Sequence, residues 1–291
     1  MHLLKFTKMH GLGNDYIYVD GISTHFPDNS DWPSIARLVS PRHFSIGADG
    51  LIVILPSQQA DCRMRIFNAD GSEGEMCGNG IRCLGKYVFE HNLVKKNPLV
   101  VETLAGIITL TFTCKNESVE LIEVDMGEPK LKYKDVPLTG PAEAMAVNVK
   151  LPLNDGLVYC GTAIRIGPPH FVVEVNDVES FPVKVIGPLL ESHEFLPQKA
   201  NIDFVQVIDR NLVKMRVWER GSGETFACGT GACASLVATN LANKTEAKAT
   251  VTSKGGSLFI RWDKKLNHVF MKGSAVEVYT GYIKIPESIM F

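Results

Sequence analysis

The sequence predicts a mixed α/β fold built from two homologous halves. Three observations carry that prediction: a gapless internal repeat, a second match at nearly the same offset, and a change of hydrophobic period at one equivalent point in each half. The segment from Met64 to Gly80, MRIFNADGSEGEMCGNG, aligns on Met215 to Gly231, MRVWERGSGETFACGTG, an offset of 151 residues. Six of the seventeen positions are identical, among them Arg65/Arg216, Glu73/Glu224 and Cys77/Cys228. Farther on, VETLAGIITL at 101 to 110 matches VTSKGGSLFI at 251 to 260, pairing Val101/Val251, Thr103/Ser253 and Gly106/Gly256. Two collinear matches predict halves of about 130 to 150 residues, the ordinary size of a domain.

The elements follow in order along each repeat. Before Cys77, Cys62, Met64 and Ile66 alternate with Arg63 and Arg65, the period-two pattern of a half-buried strand. After it, Ile81, Leu84 and Val88 recur at three- and four-residue spacing, as do Cys233, Val237 and Leu241 after Cys228, so a helix with one buried stripe follows. Each cysteine therefore sits in a strand-loop-helix corner at a helix N-terminus.

The composition narrows the function classes. The chain has 291 residues, 45% of them hydrophobic, enough to bury a sizeable core. Thirty basic and 32 acidic side chains leave a net charge of about −2, with no basic field for nucleic acid or anionic lipid. The first residues, Met1 to Lys8, hold no apolar run of signal-peptide length, and Leu51 to Leu55 is too short to span a bilayer, so a cytoplasmic location is expected. Seven cysteines at scattered spacings do not read as a secreted disulfide framework. Free thiols are expected, with Cys62, Cys83, Cys114, Cys160 and Cys233 as small core residues. Cys77/Cys83 and Cys228/Cys233 are also conceivable metal ligands, although C-x5-C and C-x4-C differ from the C-x2-C of structural zinc sites.

At a helix N-terminus the first N–H groups lack internal partners and the helix dipole adds partial positive charge. Such a corner favours a thiolate and can cradle a carboxylate, so Cys77 and Cys228 are both expected to be acidified. The glycines Gly78, Gly80, Gly229 and Gly231 let a ligand approach the main chain. If the halves are related by a pseudo-twofold axis, the two thiols flank whatever binds between them. A thiolate on one side then removes a proton from a carbon acid while the thiol opposite delivers one, and configuration inverts.

The motifs FTKMHGLGNDY at 6 to 16, GADG at 47 to 50, FNADGSEGEMCGNGIRC at 67 to 83, ANIDF at 200 to 204 and WERGSGETFACGTGACAS at 218 to 235 run through nearly the whole chain. In order and spacing they resemble the diaminopimelate epimerase family, whose members interconvert LL- and meso-diaminopimelate for lysine and peptidoglycan synthesis. The resemblance implies two domains, each a sheet wrapped around a central helix. The last strand, near 275 to 285, returns to the first, giving 1–127 plus 275–291 and 128–274. It implies catalytic Cys77 and Cys228, with Cys77 the base toward the LL substrate and Cys228 toward the meso form. No pyridoxal phosphate, metal or nucleotide is implied; the partners are a small amino-acid substrate and a second copy of the chain.

Carried onto this sequence, Gly78, Asn79, Gly229 and Thr230 would hold the reacting α-carboxylate. Asn14, Asn68, Asn201, Glu219 and Arg220 would bind other polar groups of the substrate, with Arg220 a natural carboxylate clamp. Glu219 would relay a proton at Cys228, and His170 is the candidate relay for Cys77. Each also has a plainer reading: Asn14 and Asn68 as turn residues, Glu219 and Arg220 as a solvated pair, His170 as a packing residue. One departure stands out, because the family reads G-N-P-H where this chain reads Gly167-Pro168-Pro169-His170. Internal symmetry aligns GNDYIYV at 13 to 19 with this stretch, so Pro168 matches Asn14 and an amide is missing. That loss keeps open a racemase of another amino acid on the same scaffold.

Overall fold

The computed structural model describes residues 2–27, 29–153 and 156–289; the expected domain bounds also take in residues 1, 28, 154, 155, 290 and 291, which lie outside them. The chain divides into two units. One runs through Val124 and resumes at Gly273; the other is Asp125–Lys272.

In the first unit the order is β1 (His2–Gly11), β2 (Asn14–Asp20), α1 (Trp32–Val39), β3 (Gly50–Leu55), β4 (Cys62–Asn68), β5 (Glu73–Gly74), α2 (Gly78–Glu90), β6 (Leu99–Thr103), β7 (Gly106–Lys115) and β8 (Ser118–Asp125). β1 and β2 form an antiparallel hairpin, β2 runs parallel to β3, and β4 pairs antiparallel with β3 and β5 and parallel with β6. β6, β7 and β8 complete a meander.

The second unit opens with β9 (Val149–Pro152) and continues through β10 (Val158–Arg165), β11 (Pro169–Glu174), α3 (Val183–Glu191), β12 (Asn201–Asp209), β13 (Leu212–Glu219), β14 (Gly223–Thr225), α4 (Gly229–Leu241), β15 (Lys248–Ser253), β16 (Gly256–Asp263) and β17 (His268–Gly273). From β10 to β17 the pairings repeat those of β1 to β8 step for step, including the parallel contacts of β11 with β12 and of β13 with β15. The last strand, β18 (Val276–Ile285), pairs antiparallel with β1.

Successive strand side chains point to opposite faces of a sheet, and that alternation sorts each unit into two layers. Ile17, Val19, Leu51, Val53 and Phe67 pack with Trp32, Ile35 and Val39 of α1. Phe171, Val173, Ile202 and Phe204 pack likewise with Val183, Ile186 and Leu190 of α3. The intervening residues face the other helix. Tyr18 donates to the Gly80 carbonyl of α2 at 3.0 Å, and Ile52 Cδ1 lies where a Cβ on Gly80 would reach. Both short hairpins of the second repeat recur as well: Thr103 Oγ1 donates to Gly106 O at 2.8 Å, and Ser253 Oγ to Gly256 O at 3.2 Å.

Two expectations change. α2 and α4 are both buried almost all round rather than along one stripe, and strands β10, β11, β12, β13, β15 and β16 all contact α4. Its residues are small, so sheet backbone can close on every side, and its hydroxyls bond back along the helix: Ser235 Oγ to Gly231 O at 2.7 Å, Thr239 Oγ1 to Ser235 O at 2.8 Å. Cys114 and Cys160 are exposed, not core. The register shifts between Thr113 and Cys114, near the end of β7, and Cys160 lies on the open stretch of β10. Cys62, Cys83 and Cys233 are buried.

Candidate active site

Each unit places one cysteine at the N-cap of its enclosed helix. Cys77 caps α2 with φ −130° and ψ 120°, and Cys228 caps α4 with φ −125° and ψ 114°. In both, the thiol sulfur accepts the N–H of the residue three positions on, Gly80 or Gly231, at 3.4 Å. A side-chain acceptor here answers one of the helix's orphan donors. The same polarity suits an anion, so the main chain from Gly78 and from Gly229 can receive a carboxylate.

Around Cys77 the partners come from β2 and its flank. Cys77 Sγ lies 3.3 Å from Asn14 Oδ1, and Asn14 Nδ2 donates to Asp49 Oδ2 at 2.8 Å, an aspartate also held by Arg42 at 2.9 Å. The Tyr16 phenol meets the Cys77 thiol, and burial, reinforced by the charges of Cys77 and Asp49, pushes its ionisation well above the ordinary range. Beneath the corner, the fully buried Arg82 donates to Asn79 Oδ1 at 2.8 Å, to Gly78 O at 3.2 Å and to Ser274 O at 3.2 Å. Asn79 is thereby fixed by its side chain, leaving its backbone N–H at the helix end. Asn68 instead closes a turn, its Nδ2 donating to Ser72 Oγ at 2.9 Å.

Around Cys228 the surroundings are more acidic. Thr230 Oγ1 lies 3.4 Å from Cys228 Sγ and 3.0 Å from His170 Nε2, while His170 Nδ1 lies 2.8 Å from Asp203 Oδ2. Glu219 also meets the thiol; burial raises its pKa, against the opposing effects of the Thr225 hydroxyl and His170. Asn201 Oδ1 accepts the Arg220 N–H at 2.8 Å, and the Arg220 guanidinium donates to Gln198 O at 3.0 Å. The expected acidification of Cys228 is overturned. Burial first, then the charges of Glu219 and Asp203, push its pKa well above 9.0, and the Thr230 and Gly231 hydrogen bonds only partly offset them.

A family model described as "Diaminopimelate epimerase" matches residues 6–132 and 162–278. The chain belongs to the diaminopimelate epimerase family. A diaminopimelate epimerase of Methanococcus maripaludis (strain C6) is 51% identical over 282 residues, covering 97% of this chain and all of that protein. Another, from Acetivibrio thermocellus, is 50% identical over 286 residues, covering 98% of this chain and all of its own length. Among solved structures, a hydroxyproline epimerase from Agrobacterium vitis with bound trans-4-hydroxy-L-proline matches with a TM-score of 0.71 at 13% identity, over 97% of this chain and 91% of that one. That likeness shows the shared two-domain fold.

Within the first unit, Asn14, Gly78 and Asn79 converge on the Cys77 corner, and Asn68 stands at the end of β4. Within the second, Thr230, Gly229 and Glu219 surround Cys228, with Asn201 and Arg220 alongside. His170, named from the family as a relay for Cys77, meets Thr230 and Asp203 inside its own unit. Sequence reasoning missed Tyr16, Asp49, Arg82 and Asp203. The repeat held a signal for the first, since Tyr16 stands three residues after Gly13 as His170 stands three after Gly167.

Proposed function

We propose that the chain interconverts LL- and meso-diaminopimelate without a cofactor, Cys77 and Cys228 acting as the two bases on opposite faces of the α-carbon. The observation that carries this reading is the duplicated corner: in a chain half identical to named diaminopimelate epimerases, each unit offers a cysteine N-cap with the same backbone angles and the same 3.4 Å sulfur contact.

For the LL substrate, Cys77 as thiolate takes the α-hydrogen while the Cys228 thiol gives its proton to the opposite face. Cys77 ends as thiol and Cys228 as thiolate, and the meso substrate reverses the roles. A raised Cys228 pKa suits the donor, since it holds the proton until negative charge develops on the substrate. The N–H groups from Gly78 and Asn79 and from Gly229 and Thr230 stabilise the α-carboxylate as it gains charge, an effect that strengthens once water is excluded. Asn14, Asn68, Asn201, Glu219 and Arg220 bind the remaining polar groups, and Glu219 exchanges a proton with Cys228. By family resemblance the working species is a cytoplasmic homodimer, and among the described residues no helix is long and apolar enough to cross a membrane.

Incubation in D₂O with LL-diaminopimelate, and separately with single amino acids, tests the substrate: deuterium should enter the α-position of diaminopimelate. Cys77→Ala and Cys228→Ala should each abolish net epimerisation. Wild-type turnover in either variant would rule out two bases, and exchange confined to another amino acid would point to a racemase.

A further inference from the structure

Beneath the α4 corner, four polar side chains line up: Cys228 Sγ, Thr230 Oγ1 at 3.4 Å, His170 Nε2 3.0 Å beyond it, and Asp203 Oδ2 2.8 Å from the other ring nitrogen. His170 and Asp203 have no exposed side-chain surface. We infer that Asp203 is a positioning residue for proton transfer at Cys228, fixing His170 with its hydrogen on Nδ1 and thereby setting the direction of every hydrogen bond out to the thiol.

The direction follows from donor and acceptor inventories. An ionised carboxylate only accepts, so the ring nitrogen facing Asp203 carries the hydrogen. In the neutral ring Nε2 is then an acceptor and takes the Thr230 hydroxyl hydrogen. Thr230 Oγ1, its hydrogen committed, accepts the Cys228 S–H. The chain can also release that proton: the S–H hydrogen passes to Thr230 Oγ1 as the Thr230 hydrogen passes to His170 Nε2, leaving a thiolate and an imidazolium beside the Asp203 carboxylate. Glu219 is the other titratable group facing the thiol.

The fold does not need an acid at this position. β2 pairs Tyr16 with Gly50, and β11 pairs His170 with Asn201, so two residues farther along, Ile52 is the counterpart of Asp203. Ile52 fills the space under Gly80 as Asp203 fills it under Gly231, where a Cβ would lie 2.4 Å from Asp203 Oδ1. The same architecture thus packs with an apolar side chain in one unit and a carboxylate in the other. Asp203 Oδ1, moreover, is buried with no hydrogen-bond partner. A buried acid with one oxygen unanswered is costly, and such groups concentrate where a protein needs the charge. A carboxylate behind an imidazole that serves a hydroxyl is also how serine hydrolases hold their histidine in the productive tautomer.

This inference rests on Cys228 acting in proton transfer, and its test reads the ring directly. In protein carrying ¹⁵N-labelled histidine at pH 7.5, the His170 signals are those lost in His170→Gln. The wild type should show hydrogen on Nδ1 and a bare Nε2. Asp203→Asn should lose that tautomer and lower kcat for diaminopimelate by about 10²-fold, with KM changed by less than about 3-fold. A wild-type ring protonated at Nε2 would overturn the inference, and so would a folded Asp203→Asn protein with wild-type kcat. Should that variant not fold, the wild-type tautomer alone decides. Should the wild type not turn over diaminopimelate at all, the proposed substrate falls while the tautomer is still read.

Discussion

Arg216 and Glu224 meet at 2.7 Å in the second unit, both nearly enclosed. Their equivalents in the repeat, Arg65 and Glu73, meet at the same distance with more than a quarter of each side chain exposed. Arg216 also donates to the carbonyls of Val178, Glu179 and Phe181. Removing Arg216 takes the donor from those three carbonyls and leaves Glu224 only the Lys254 ammonium, also at 2.7 Å, whereas an exposed pair contributes little. Arg216→Met should cost about 2 to 4 kcal/mol and Arg65→Met about 1 kcal/mol or less, read from urea-unfolding midpoints. Equal losses would show that burial does not separate the two pairs.

The Cys228 thiol gives stability an alkaline limit. Its folded pKa lies above 9.0 because of burial and the Glu219 and Asp203 charges. Well below the free-thiol pKa of about 8.5 both folded and unfolded chains keep the proton, and the contribution is whole. As pH rises further, the unfolded chain ionises first and stability falls. Between pH 8 and 10 the wild type should lose on the order of 1 kcal/mol more unfolding free energy than Cys228→Ala. Matching losses would mean that the thiol ionises in the folded protein as it does in the free chain.

The corners were legible in the sequence because a strand of period two gives way to a helix at a residue that recurs with its neighbours, Cys77 as Cys228. The paired arginine and glutamate recur for the same reason. What was illegible follows from particular side chains. α4 carries Gly, Ala, Ser and Thr on sides that are nonetheless buried, and small residues leave hydropathy too flat to reveal enclosure by a sheet. Asp203 sits between Ile202 and Phe204, where alternation reads a charged residue as facing water. It faces a helix instead, because the sheet is covered on both sides. His170 could be assigned from family likeness, but not its partners, since Thr230 and Asp203 come from distant segments.

Pro168 tests how the second unit recognises substrate. It follows Gly167, whose φ is +70°, and its carbonyl accepts the Ile166 N–H at 3.4 Å, a bond that asparagine would keep. Pro168→Asn restores the amide that Asn14 supplies in the equivalent place of the first unit. One added hydrogen bond is worth about 1 kcal/mol, or roughly 5-fold in affinity. The KM for diaminopimelate should fall by about that factor with kcat nearly unchanged. An unchanged KM would mean that no substrate group reaches this position.

Gly80 and Gly231 are identical in the repeat, yet the same substitution should affect them differently. A Cβ on Gly80 would meet Ile52 Cδ1 at 2.7 Å, the free end of an aliphatic chain that can rotate away. Alanine's better helix propensity offsets part of that strain, so Gly80→Ala should cost about 1 kcal/mol or less. A Cβ on Gly231 would meet Asp203 Oδ1 at 2.4 Å, and that carboxylate is held by His170. To make room, Asp203 must leave the ring and strand Nδ1 in a buried site, at a cost of about 2 to 4 kcal/mol. The two residues should therefore be strongly coupled. Adding Asp203→Ala to Gly231→Ala should destabilise no further, and a double-mutant cycle should give a coupling of about 1 kcal/mol or more. Additive losses would mean that the helix end shifts as a body and leaves the Asp203–His170 contact intact.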